Sequence, residues 1–140
     1  MRPATIILLL LALIGTTIGH AVSSSQDDAA AKAFWGKFRA AVIKGDKQAV
    51  AALSQFPIGM SYGVPKIRTK AQFLKRYREV FSAQTNAAQC FDKANPEIDV
   101  ARPKEFNVAC KDAAGNEVVV YAFRLTPNGW RFTSLDNLNE

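Results

Sequence analysis

The residues with the plainest chemical signature are Gly59-Met60-Ser61-Tyr62-Gly63. They fit the Gly-x-Ser-x-Gly pattern that presents a nucleophilic serine on a sharp strand-to-helix turn in α/β-hydrolases. Such a serine needs a base to take its proton, and that base is a histidine in most sites of this kind. The chain has one histidine, His20, inside an apolar N-terminal stretch that reads as a removable leader. The mature chain therefore lacks the base, and Ser61 reads as part of a Gly-rich connection between a strand and a helix. A Ser61–Lys66 pair is the other route, and no spacing singles it out. Acid–base work by carboxylates needs a residue desolvated or paired enough to shift its pKa. Asp92, Glu97 and Asp99 lie near turns or in polar sequence, while Asp136 follows a strand pattern and faces either way. No catalytic residue is assigned and no cofactor is called for. Cys90 and Cys110 are too few ligands for a metal site and too far apart for a Cys-x-x-Cys redox pair.

The leader argument rests on Arg2, the unbroken apolar run Ile6–Ile14, and small residues Gly19 and Ala21 at the −3 and −1 positions of a cleavage site. A membrane span needs about 20 apolar residues, and Gly15, Thr16, Thr17 and His20 interrupt this run early. Residues 1–21 thus read as a secretory signal peptide, with no stable membrane anchor, and the mature chain is expected in the periplasm or outside the cell. Cleavage would leave 119 of the 140 residues and lower the formal net charge from +6 to +5 by removing Arg2. That length suits one domain able to bury roughly two thirds of its unfolded surface. The mild positive charge favours anionic partners without naming one. Nucleic acid is not expected among them outside the cytoplasm. In an oxidising compartment, two cysteines in an otherwise Cys-free chain read as a Cys90–Cys110 disulfide.

The elements that would position these residues follow from periodicity. Val22–Asp28 is rich in Ser, Asp and Gln and reads as a mobile lead-in, with a single domain over 29–140. Phe34, Trp35, Phe38, Ala41 and Val42 share one arc of a helix at 100° per residue. Gly45 can end that helix, and Asp46 can cap a short second one carrying Val50 and Leu53. Thr69-x-x-Gln72 forms a capping box ahead of Phe73, Leu74, Tyr77, Val80 and Phe81, predicting a third helix to about Gln84. After Pro96 the period falls to two: Phe106, Val108 and Cys110 alternate, then Glu117–Leu125 and Trp130–Leu135 follow turns at Gly115-Asn116 and Asn128-Gly129. Helices first and an antiparallel meander last is an α+β layout.

Phe34-Trp35, Phe38-Arg39 and Ala41-Val42 before Gly45-Asp46, then Leu53, Phe56-Pro57, Phe73-Leu74, Tyr77 and Val80-Phe81, and finally Gly129-Trp130-Arg131-Phe132 with Leu135-Asp136-Asn137, resemble small exported members of the nuclear transport factor 2-like superfamily. The resemblance covers most of the mature chain through packing motifs. It implies a cone in which N-terminal helices pack on a curved antiparallel sheet around a cavity used for catalysis, ligands or protein partners. The steroid-isomerase and dehydratase branches carry Asp, Tyr and His there. No Asp of this chain matches those sites, so none is carried over.

Two sets of residues remain as binding candidates. Tyr62, Tyr77 and Tyr121 could line a cavity, although aromatic residues at periodic positions also serve as plain core. Arg76 and Arg78 belong to a basic run from Lys66 to Arg78, which also suits the solvated back of an amphipathic helix with a Lys75–Glu79 pair. The leading reading is an exported, non-enzymatic binding protein for a small apolar ligand or an acidic protein surface, including an immunity- or inhibitor-type protein of the envelope. Its rivals are a small lyase or isomerase using Asp and Tyr, and a structural subunit forming a homodimer through its sheet. A cone lined with convergent polar groups favours ligand or enzyme, and a filled one favours surface recognition.

Overall fold

The computed structural model describes residues 22–61, 66–116 and 118–138. The leader expected at residues 1–21 and the candidate Tyr62 lie outside them.

Helix α1 (Val22–Lys44) buries Ala31, Phe34, Trp35, Phe38, Ala41 and Val42, the stripe that the sequence period marks. It ends at Gly45, whose φ of 69° is the left-handed conformation that costs a residue without Cβ little. The Gly45 amide donates to the Val42 carbonyl and the Asp46 amide to the Ala41 carbonyl, so two terminal carbonyls find partners. The Asp46 carboxylate then accepts from the Ala49 amide at 3.0 Å and caps α2 (Lys47–Ala52). The expected lead-in over Val22–Asp28 is helical instead. Ala29, Ala30 and Ala31 carry high helix propensity, and Lys32 holds Asp28 one turn back at 2.8 Å.

Strand β1 (Ser54–Met60) leads through the segment before α3 (Lys70–Phe81). Thr69 Oγ1 accepts from the Gln72 amide at 3.2 Å as the capping box requires, while Gln72 Oε1 accepts from Arg68, one residue before the cap. A fourth helix, α4 (Ala87–Lys93), was not legible from periodicity, because two turns are too short to show one. Its local signal is Asn86, whose side chain caps the Gln89 amide at 3.1 Å. The remaining chain forms β2 (Glu105–Lys111), β3 (Val118–Thr126) and β4 (Gly129–Asn137).

The sheet runs β1-β4-β3-β2. The β2, β3 and β4 strands form the expected antiparallel meander, and β1 adds itself to β4 in parallel, making the sheet mixed. The parallel pair arises because the whole segment from α3 to β3 intervenes between β1 and β4, long enough for the crossover that parallel strands need. Between Ala122 and Phe123 the β3–β4 register shifts as Thr133 is inserted into β4. A bulge of this kind bends a strand and raises its twist. It also moves the inward position from Phe132 to Leu135, so both remain fully buried.

Candidate functional site

The inner face of the sheet presents Phe106, Val108, Val119, Tyr121, Phe123, Phe132 and Leu135 to α1, α3 and α4. Where a cone cavity would lie, rings meet rings. Phe38 sits 5.0 Å from Phe123 and 5.6 Å from Phe132, and Tyr121 lies 4.9 Å from Phe91 and 5.7 Å from Phe81. These side chains are at most 3 % exposed.

Tyr77 and Tyr121 both enter this packing, with different polar ends. The Tyr121 hydroxyl donates to the Val80 carbonyl at 2.9 Å and lies 3.0 Å from Thr85 Oγ1. The Tyr77 hydroxyl is buried without a hydrogen-bond partner among the described residues, and the Lys47 ammonium lies 5.7 Å from its ring centroid. Burial, and then the charge of Asp46, push the Tyr77 pKa up to about 12. Tyr77→Phe is therefore expected to stabilise the fold or leave it unchanged within about 1 kcal/mol, because it removes an unsatisfied hydroxyl. Tyr121→Phe is expected to cost about 1–3 kcal/mol by stripping partners from buried oxygens. Urea titration of both variants checks the contrast, and equal losses would remove it. The pH dependence follows the same logic. Between the ordinary tyrosine value and about 12 the unfolded chain has released a proton that folded Tyr77 still holds, so stability falls as pH rises through that window, and Tyr77→Phe flattens the slope.

The basic helix face divides. Lys70, Lys75 and Arg78 are exposed on α3, and Lys66 and Arg68 are exposed just before it. Arg76 is half-buried and clasps Glu79 through Nε at 2.9 Å and Nη2 at 2.7 Å, so the ion pair is Arg76–Glu79 in place of Lys75–Glu79. Both guanidinium donors converge on one carboxylate oxygen, Oε2 of Glu79.

Ser61 follows the end of β1 and is exposed; its amide donates to the Leu135 carbonyl and its hydroxyl accepts from the Asn137 amide at 3.4 Å. Asp92, Glu97 and Asp99 are exposed and Asp136 is half-buried on the outer sheet face, so the structure brings none of the acids into the cone. Asp99 caps the Ala101 amide at 2.8 Å and pairs with Arg102, a local role. Cys90 on α4 and Cys110 on β2 are bonded to each other, with Cα atoms 5.9 Å apart.

One feature was missed from the sequence. A half-open pocket of about 230 Å³ lies outside the cone, lined by Ala31, Trp35, Pro96, Ile98 and Phe106 together with the exposed Lys32, Gly36 and Asn95. Gly36 is exposed at its edge, and a Cβ there would meet no atom within 4 Å because the position faces solvent.

No protein-family model matches the chain, and no curated protein matches it. Solved structures do. A protein of unknown function from the DUF3225 family of Pectobacterium atrosepticum superposes with a TM-score of 0.51 at 11 % identity, covering 81 % of this chain and 90 % of that one. An NTF2-like protein with a cystatin-like fold from Novosphingobium aromaticivorans gives 0.48 at 14 % identity, over 81 % of both chains. The fold is nuclear transport factor 2-like. A hexachlorocyclohexane dehydrochlorinase superposes at 0.49 with 12 % identity, covering 81 % of this chain and 87 % of that enzyme. A fold does not fix a function, which must be argued from the residues on it. The disulfide fits a compartment outside the cytoplasm. Among the described residues no helix is long and apolar enough to cross a membrane.

Proposed function

We propose that this chain is an exported binding protein that acts by recognition rather than turnover, presenting its surface to an acidic protein partner in the cell envelope. The observation that carries this reading is the filled cone. Phe38, Phe81, Phe91, Tyr121 and Phe132 occupy the space where enzymes need a substrate, and among the described residues the buried polar side chains are Ser54, Thr85 and Asn137, with no carboxylate among them. General acid–base catalysis requires a titratable group within hydrogen-bond reach of a bound substrate. A packed interior also leaves no room there for a ligand. The exposed cations Lys70, Lys75 and Arg78, with Lys66 and Arg68 beside them, form the surface whose charge suits an acidic partner.

The test is photo-crosslinking in the envelope from a probe amino acid at position 78, with products identified by mass spectrometry. A single acidic protein product is expected. Lys75→Glu is expected to reduce it at least tenfold, and added salt should weaken the wild-type contact because exposed charges are screened. Arg76 is unsuitable for charge reversal, since a carboxylate there would face Glu79 directly. Multiple turnover of a substrate by the mature protein, lost on replacing one Asp or Tyr, would overturn the reading.

A further inference from the structure

We propose that the free edge of β2 pairs with the same edge of a second copy of this chain, joining two four-stranded sheets into one continuous sheet. The proposal goes beyond recognition of an acidic partner and does not rest on it.

An edge strand presents a row of unpaired backbone groups, which proteins blunt with proline, bulges, charges or a covering segment. The two edges of this sheet differ in that respect. On β1, Pro57 has no amide proton and the Ile58 amide donates to the Ile67 carbonyl at 2.8 Å. Strand β2 has no proline, and its seven residues pair with β3 without a register break. The Leu125 amide donates to the Lys104 carbonyl, so alternate positions from Lys104 onward face β3, and the backbone groups of Glu105, Asn107, Ala109 and Lys111 point away from it. The Glu105 amide turns back to the Arg102 carbonyl. Those of Asn107, Ala109 and Lys111 have no partner among the described residues, and all three residues are exposed. The Cys90 sulfur lies 3.7 Å from the Ala109 carbonyl oxygen, but within a disulfide it has no proton to donate.

Charge selects the occupant. Strand β2 carries Glu105 at one end and Lys111 at the other, with Lys104 and Asp112 just beyond them. Antiparallel self-pairing about Val108 sets Asn107 opposite Ala109, Glu105 opposite Lys111, and Lys104 opposite Asp112, each twice by symmetry. The outward positions then fall in pairs that exchange backbone hydrogen bonds, and opposite charges facing each other across strands attract. A slip of two residues in either direction loses both charge matches. Glu97, Asp99 and Arg102 stand across a groove of about 190 Å³ from Glu105 and Asn107, so the lysine of the second copy arrives at an acid-rich end. Arg102 and Arg124 approach Glu105 at 3.2 and 3.7 Å on partly exposed surface, where such pairs are weak and leave the carboxylate able to take another cation.

The experiment follows the mature, disulfide-bonded protein by sedimentation and by amide hydrogen exchange over a range of concentrations. A reversible dimer is expected at high concentration, with exchange at Asn107, Ala109 and Lys111 slowing by about tenfold or more as it forms. Lys111→Glu places like charges opposite each other at both ends and should raise the dimer dissociation constant about tenfold. Lys75→Glu, on the α3 surface, should leave that constant unchanged. A chain that stays monomeric would leave this edge to another protein and overturn the proposal. A dimer whose Asn107 and Ala109 amides exchange as fast as in the monomer would do the same, since it would form through another surface. So would a Lys111→Glu protein that dimerises like the wild type, or a Lys75→Glu protein that loses the dimer.

Discussion

Phe38→Ala is expected to remove about 3–5 kcal/mol of folding stability, the range for truncating a fully buried aromatic side chain. Phe38 has no exposed surface and its ring lies within 6.5 Å of six others: Phe34, Trp35, Phe81, Phe91, Phe123 and Phe132. Those rings come from α1, α3, α4, β3 and β4, so no single element can move to close the gap. The loss combines the transfer free energy of the ring with the cost of the void. Against a total of about 5–15 kcal/mol for a domain, it would leave the variant marginal. Urea denaturation measures it, with Phe56→Ala as the half-buried comparison expected to lose less. A loss below about 1 kcal/mol would mean that the cone interior is not close-packed, and would withdraw the main support for recognition over turnover.

Replacing both Cys90 and Cys110 with alanine is expected to cost about 3 kcal/mol, the chain-entropy value for a loop of this length. The bridge ties α4 to β2, and β2 is an edge strand paired only to β3. Both elements depend on that tie. Helix α4 has seven residues, too few to be stable alone, yet it places Phe91 against Trp35 at 5.0 Å and Tyr121 at 4.9 Å. Without the bridge, the unfolded chain gains the freedom of the intervening segment, and local opening of the α4–β2 corner becomes easier. Comparing denaturant midpoints with and without reductant measures the difference, and thiol titration of non-reduced, denatured protein should find no free thiol. A midpoint insensitive to reductant would remove the bridge from the stability of this fold.

The features legible in the sequence are those set by interactions within a few residues. Gly45 ends α1, Asp46 caps α2 and Thr69 caps α3 because each satisfies neighbouring backbone groups whatever the rest of the chain does. The same holds for the period-two pattern of Phe106, Val108 and Cys110, which needs only one buried face. Compartment chemistry paired the two cysteines, since no third competes. Helix α4 escaped because seven residues carry no readable period, and the Asp28–Lys32 pair with the following alanines drew the polar residues 22–28 into α1.

Tertiary structure alone decided the rest. The parallel pairing of β1 with β4 depends on where a long crossover returns, and the Thr133 bulge on how β4 must bend to keep Phe132 and Leu135 both inside. Whether the cone is open or filled is a sum of side-chain volumes from five elements, which no local pattern records. Tyr77 and Tyr121 are alike in sequence as aromatic residues at buried positions, yet only Tyr121 reaches Val80 and Thr85 with its hydroxyl. The half-open pocket beside α1 exists only because folding brings Pro96, Ile98 and Phe106 next to Trp35. Local chemistry is written along the chain, whereas empty space exists only between segments that folding brings together.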